Sequence, residues 1–292
     1  MTFTDPDDTL SPRYFAQVAR FVEEHPGAHM LATRLMVLDD ETGKITNSHP
    51  LRTNFRDGDV ARRLTVHGDY FHGSAPSAFF RREHLESIGV RFDDRVQPNF
   101  EDGHFCVRYL LSFDDPVLGF VGSARYRYRR RSDGTSTLQN SMMDVRRFTD
   151  VPRYGYLDVI RVALERFGSV PIWLQHFLTY ELSWYVSSGL RHADTTACRG
   201  AVADEFNALM REILSHIDDR TLVTFSRRVL TREVRAILRH GYAAPGWHED
   251  PAAIVEVDLV RNLAKLSYFF TGEQPHEVVE VRGRSSSRAS RR

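Results

Sequence analysis

The sequence predicts a mixed α/β part over residues 1–140 and an all-α helical module over residues 141–275. Three observations carry that division. Met30 to Leu38 and Val117 to Tyr128 are apolar runs bounded by turn residues and read as strands of a mixed sheet. Helix-like stretches lie around them and end on Pro26-Gly27 and on Gly89. After Asn140 the apolar residues recur almost only at helical spacing, as in the stripe Leu157, Ile160, Leu164 and Phe167.

Taken in order, Phe3 and Thr4 end a short strand, and Asp5-Pro6-Asp7-Asp8 is a turn, because Pro6 cannot donate to a sheet and Asp favours turns. Ser11-Pro12 reads as a helix start, followed by Tyr14, Phe15, Val18, Phe21 and Val22 at helical spacing. Asp39 to Lys44 is a polar turn, and His49 to Arg63 an irregular surface loop with room for one short helix. Gly73 to Ser77 is a small-residue stretch, of the kind that lets backbone approach a ligand or simply turns the chain. Arg81 to Ile88 is a short helix. Asn99 is expected to cap the helix carrying Phe105 to Ser112, with Glu101 and Asp102 in its first turn. Arg129 to Thr137 is a basic, hydroxyl-rich loop.

In the second part, Ile172 to Leu190 is apolar nearly all round, the profile of a helix buried on most sides. Further helices are expected over Val202 to Ile217 and, unbroken, over Asp219 to His240. Ile254 to Phe270 reads equally as one helix or as a strand leading into a helix. Glu277 to Val281 suggests a last strand, and the Arg/Ser-rich tail from Arg282 to Arg292 suggests disorder, giving a third segment over 276–292.

Composition narrows the function classes. A formal net charge of zero over 292 residues gives no global pull toward nucleic acid or anionic lipid. Two cysteines make neither a disulfide framework nor a cysteine-rich zinc site. The acidic, polar start predicts no secretory leader, and no apolar stretch approaches the ~20 residues that span a bilayer. The expected setting is a reducing cytoplasm.

Three stretches carry chemistry. Asp5, Asp7 and Asp8 put several carboxylate oxygens on one turn, a donor set for a hard cation such as Mn²⁺ or Mg²⁺, or an ordinary acidic surface turn. A cation held by one or two protein carboxylates takes its other ligands from water and substrate phosphates, which suggests a nucleotide diphosphate substrate. Arg129 to Arg131 with Ser132, Thr135, Ser136 and Thr137 is either a diphosphate-binding loop or a solvated basic hairpin. Glu101-Asp102 is either an acidic first turn or a general base at the mouth of a site. Together they match transfer of a sugar from a nucleotide diphosphate to an alcohol.

The order Asp5-Pro6-Asp7-Asp8, Ser77-Ala78-Phe79-Phe80-Arg81, Phe100-Glu101-Asp102 and Tyr126 to Arg131 resembles the family 2 glycosyltransferases of the GT-A fold, with the nearest likeness to those of wall teichoic acid and capsular polymers. The helical part is similar to the linker module that follows the transferase domain in that group. The resemblance implies a metal and nucleotide motif at Asp5 and Asp7, with Asp7 the direct ligand and Asp8 a third candidate. It implies Asp102 as catalytic base of an inverting transfer, positioned by Glu101. Arg130 and Ser136 would bind the diphosphate, Ser77 would lie near the acceptor, and His104 would pack or orient. The implied partners are a nucleotide diphosphate sugar and a polymer or lipid-linked glycan acceptor, at the inner face of the plasma membrane, without nucleic acid.

The family's first strands, which bind base and ribose, have no counterpart here, so a C-terminal portion of a GT-A domain is expected. The alternative is a non-catalytic docking or homo-oligomerisation module built on the helical part, with Trp173, Trp184 and Tyr185 as its platform; simple core packing is the plainer account of those aromatics.

Overall fold

The computed structural model describes residues 1–130, 141–191, 195–243, 246–250, 252–277, 279–281 and 284–286. Strands β1 (Thr9–Leu10), β2 (Met30–Asp39), β3 (Ile45–Thr46), β4 (Asp59–Arg63), β5 (Ala78–Phe80) and β6 (Val117–Arg130) form one mixed sheet. The runs expected at Met30 and Val117 are its central pair, β2 and β6, which lie parallel. The far edge of β6 takes β4 and then β1, both antiparallel; the far edge of β2 takes β5 and then β3. The β2–β6 register slips between Thr33 and Arg34. There Ser123 donates from its backbone N–H to Asp59 at 2.8 Å, and from its hydroxyl at 2.6 Å.

Alternation along the central strands makes two apolar faces. On one, helix α1 (Tyr14–Glu24) sets Tyr14, Val18 and Phe21 against Leu31, Val121 and Ala124. On the other lie α2 (Arg82–Ile88) and α3 (Glu101–Leu110), then α4 (Leu157–Phe167), α5 (Ile172–Arg191), α6 (Ala201–Leu214), α7 (Asp219–Thr224) and α8 (Arg232–Ala236). One apolar cluster runs unbroken from Met30 and Phe120 through Phe105 and Tyr109 to Val159, Phe177 and Met210. Trp173 and Tyr185 are buried in it, and Trp184 packs against it while stacking on the Arg228 guanidinium at 3.8 Å. No described helix is long and apolar enough to cross a membrane.

Several elements differ from expectation. Ser11 does not cap α1: its hydroxyl accepts the Arg125 N–H at 3.2 Å, Arg13 adopts φ 64°, and the helix begins at Tyr14. The stretch from His49 to Arg63 holds a short 3₁₀ helix over Pro50–Phe55, as expected, but also strand β4, which was not. The helix expected over Asp219 to His240 is broken after Thr224. Arg227 is drawn away there to Asp69 and to the Tyr70 ring at 3.9 Å, and Arg228 to Ser183 at 2.6 Å and Ser187 at 3.0 Å. Ile254 to Phe270 contains neither expected form but an antiparallel hairpin, β7 (Ala253–Asp258) and β8 (Leu263–Ser267). Its bend exposes Leu259 and Val260. Beyond it, β9 (Val279–Val281) pairs with β10 (Arg284–Ser286), where disorder was expected; the remainder of the tail lies outside the described residues.

Candidate active site

The acidic pair at the head of α3 is set by its neighbour. Phe100, not Asn99, occupies the capping position, with a left-handed φ of 76°. That conformation costs a non-glycine residue roughly 1–3 kcal/mol and is kept only where packing over-determines it. The Phe100 ring meets Tyr156 at 4.4 Å between centroids and leaves no room for a side chain at two glycines. A Cβ on Gly103 would fall 2.7 Å from the ring, and one on Gly155 would fall 2.8 Å from it. The glycine of Phe100-Glu101-Asp102-Gly103 is therefore a steric requirement of the ring that precedes it.

Asp102 accepts a hydrogen bond from the Ala75 backbone. Burial, then the charges of Glu101 and Asp5, push its pKa up to about 7. Glu101 is also raised, by burial and by Asp5. Asp5 in turn is raised by burial and by Asp8 and Asp7. The fold thus gathers carboxylates that lie far apart in the chain. Aromatic packing does the gathering: the Phe3 ring sits edge-on to Phe92 at 5.1 Å, to Phe105 at 5.3 Å and to Phe80 at 6.0 Å. Met1 exchanges two backbone hydrogen bonds with Phe80, each 2.8 Å. The segment expected to end a strand is an extended piece laid along β5.

The far end of β6 holds the acidic turn. Arg129 donates its backbone N–H to Asp8 Oδ1 at 2.7 Å, its Nε to the Asp7 carbonyl at 2.8 Å and its Nη1 to Asp40 at 2.7 Å. The Tyr126 hydroxyl accepts the Asp5 N–H at 3.3 Å, and burial with the nearby Asp8 carboxylate raises that phenol's pKa. Asp8 Oδ2 is buried with no hydrogen bond of normal geometry. Arg130, expected on the diphosphate, pairs with Asp39 at 2.9 Å. Thr42 and Arg130 hold the Asp39 carboxyl down at about 2. Ser136, Arg131 and the other loop hydroxyls lie outside the described residues.

Ser77, expected near the acceptor, lies inside the fold. It is fully buried, its hydroxyl 3.0 Å from His72 Nε2, and its carbonyl accepts the Thr33 hydroxyl at 3.0 Å. Burial and the charge of His49 push the His72 pKa down to about 3. Ser77 closes the 3₁₀ turn that begins at Ala75, whose backbone touches Asp102. His104, expected to pack or orient, is buried with Nε2 2.9 Å from Asp158 Oδ2. Residues that the sequence did not single out are Ala75 and His72. A backbone donor has no signature of its own, and His72 reads as one more polar loop residue.

Among the described residues, a cavity of about 420 Å³ opens beside Glu101, walled by Phe92, Val96, Pro98 and Gln97 and faced by Asp144 and Arg146.

No family model matches the chain. Over 224 residues, 76% of the chain, it is 27% identical to the minor teichoic acid biosynthesis protein GgaB of Bacillus subtilis (strain 168). Over 193 residues it is 25% identical to GgaA, a second minor teichoic acid biosynthesis protein of that organism. In fold it is similar to S. aureus TarS 1-349 solved with UDP-GlcNAc, at TM-score 0.56 and 14% identity over 83% of the chain. TarS 1-349 solved with UDP gives TM-score 0.51 at 13% identity over 94% of the chain. The chain resembles teichoic acid biosynthesis proteins in sequence and TarS in fold. It spans 23% of GgaB, 41% of GgaA and 63% of the TarS chain solved with UDP-GlcNAc.

Among the described residues no three His, Cys, Asp or Glu side chains converge into a metal cage. One Asp8 oxygen accepts the Arg129 N–H. Asp5, raised by burial and then by Asp8 and Asp7, is a carboxylate donor on the acidic turn, and a cation held by one or two protein carboxylates completes its shell with water and phosphate.

Proposed function

We propose that the chain is an inverting glycosyltransferase of GT-A type, or a portion of one, moving a sugar from a nucleotide diphosphate to a hydroxyl of a cell-wall or capsular polymer. The observation that carries this reading is the convergence of Asp5 and Glu101 on Asp102, whose pKa is raised to about 7. A base with that pKa is unprotonated in a large fraction at neutral pH and still takes a proton effectively. Likeness to teichoic acid proteins, and a fold similar to one solved with UDP-GlcNAc, supports the choice of donor class.

In the proposed step, Asp102 removes the acceptor hydroxyl proton as that oxygen bonds to the sugar's anomeric carbon. The bond from that carbon to the diphosphate breaks, and its electron pair leaves with the nucleotide. Glu101 and the Ala75 N–H orient the Asp102 carboxyl. Ser77 and His72 position Ala75 from below, and Arg129 holds the acidic turn in register with β6. Mn²⁺ or Mg²⁺ held by Asp5 and Asp7 would supply charge neutralisation on the departing diphosphate. Arg130 would reach that diphosphate on leaving Asp39, and the resemblance assigns Ser136 to the same group. The reading includes action at the cytoplasmic face of the membrane, on a polymer or lipid-linked acceptor.

Calorimetric titration of UDP with Mn²⁺ into the chain, repeated with Asp7→Ala, tests the donor half of this reading. Micromolar binding lost in the variant is the expected result. Equal binding by both proteins would remove the metal assignment.

A further inference from the structure

The hairpin β7–β8 stands on a fixed base with its apolar side uncovered. Arg232 of α8 ion-pairs with Glu249 and donates Nη2 to the Ser267 carbonyl at 2.9 Å, its guanidinium lying 5.0 Å from the centre of the Phe269 ring. The Glu249 N–H donates to the Phe269 carbonyl at 2.8 Å, and His248 bridges Phe270. Beyond that clamp the two strands pair only with each other. A lone pair of strands is marginal in water unless something covers a face.

Strict alternation along β7 would set Ile254 on the side of Glu256 and Asp258. The register instead slips between Ile254 and Glu256, so that Ile254 pairs with Leu266, Val257 with Ala264, Glu256 with Lys265 and Asp258 with Leu263. Ala264 and Leu266 share one face of β8. One side of the hairpin therefore collects Ile254, Val257, Ala264 and Leu266, and the other Glu256, Asp258 and Lys265. Ile254 is 66% and Val257 56% exposed, and at the bend Leu259 and Val260 reach 87% and 97%. Aliphatic side chains gathered and exposed in this way mark a surface that meets a partner.

Charge chooses among the partners. The formal net charge of the chain is zero, yet the run from Arg282 to Arg292 holds Arg282, Arg284, Arg288, Arg291 and Arg292 and no acidic residue. A second copy would bring the same positive run against this one, and an uncharged partner would leave it unused. An anionic bilayer satisfies both features: its acyl boundary takes the aliphatic bend, and its headgroup phosphates attract the arginines.

We propose that the β7–β8 hairpin is a membrane-surface anchor that dips Leu259 and Val260 into an anionic leaflet, with the arginine run that follows it in sequence supplying the attraction to headgroups. The proposal rests on the glycosyltransferase reading only for the purpose of the anchor; the anchor itself rests on the hairpin and the charge.

Flotation of the full chain with vesicles tests it, using phosphatidylcholine alone and phosphatidylcholine mixed equally with phosphatidylglycerol. The chain should float with the anionic vesicles, and binding should weaken as salt is raised. Leu259→Ser with Val260→Ser leaves the charge unaltered and should weaken binding about tenfold or more. The melting temperature should stay the same, because both side chains are exposed. Replacing Arg284, Arg288, Arg291 and Arg292 by Gln should weaken binding about a hundredfold. No flotation by the unaltered chain would overturn the proposal, as would flotation that the serine changes leave untouched. A dimer in light scattering that the serine changes dissolve, without flotation, would assign the surface to a second copy and overturn it too. UDP titration on the same sample separates the two readings. UDP binding without flotation removes the anchor and spares the transferase, whereas flotation without UDP binding does the opposite.

Discussion

His104 and Asp158 meet across 54 residues of sequence, with Nε2 of one 2.9 Å from Oδ2 of the other. The same oxygen takes Arg108 Nη1 at 2.9 Å, and Oδ1 takes Arg161 Nη2 at 2.7 Å. Burial alone would raise the Asp158 pKa, but these donors and charges hold it well below the ordinary 3.8. The pair joins the helix that carries Asp102 to α4. Its contribution is full above the unfolded carboxylate pKa and is lost as pH falls through the lower folded value. Asp158→Ala strands His104 and Arg108, and should cost about 2–4 kcal/mol in urea unfolding at pH 7. The loss should shrink as the measurement is repeated toward pH 3.

Asp102 titrates the other way. Its folded pKa, about 7, lies above the unfolded 3.8, so the native chain holds a proton through that window and its charging destabilises the fold as pH rises. Asp102→Asn should therefore stabilise the chain at pH 8, on the order of 2 kcal/mol, while abolishing sugar transfer. In the active protein, transfer should rise with pH through about 7. Raising Mn²⁺ should move that rise to lower pH, because a cation near Asp5 favours the ionised base. A rate profile flat from pH 5 to 9 would remove Asp102 as the base.

The Phe100 ring sets a steric test. Gly103→Ala and Gly155→Ala each put a methyl group under 3 Å from it, and should each cost about 1–3 kcal/mol. Phe100→Leu in the Gly155→Ala background should recover part of the loss. If the two changes simply add in thermal melts, the ring is not the obstacle.

His72 gives an acid-side test remote from the carboxylates. Its folded pKa of about 3 lies below the unfolded 6.5, so stability is full above pH 6.5 and falls as pH drops toward 3. His72→Gln keeps a donor for the Ser77 hydroxyl and should flatten that fall between pH 6.5 and 4, as read by fluorescence-monitored unfolding.

Much of the architecture was legible because it rests on local pattern. The β2 and β6 runs, the Gly89 and Gly168 helix stops and the long α5 all announce themselves in spacing. Glu101 and Asp102 at a helix start were legible too, but the reason for that start was not, since Asn99 is the better cap by type and Phe100 prevails through contacts with Gly155 and Tyr156. The break after Thr224 was illegible for a similar reason. Arg227 and Arg228 suit a helix, and only their partners at Asp69 and Ser183 show what they give it up for. The burial of Ser77 against His72 was not legible, because a serine among small residues and a histidine in a loop carry no sign of each other. At the acidic turn the sequence offered Arg130 for the phosphate, yet Arg129 is the residue bonded to Asp7 and Asp8. Adjacent arginines on a strand point to opposite faces, and composition does not say which face matters.

The unbroken cluster from Phe120 to Phe177 and Met210 bears on how such a chain could be recombined with its relatives. A chimera joined near residue 140 would cut through one folding unit, leaving α3 without Val159 and Phe177 to lie upon. The unit to transplant as a block is the sheet together with the helices as far as α6.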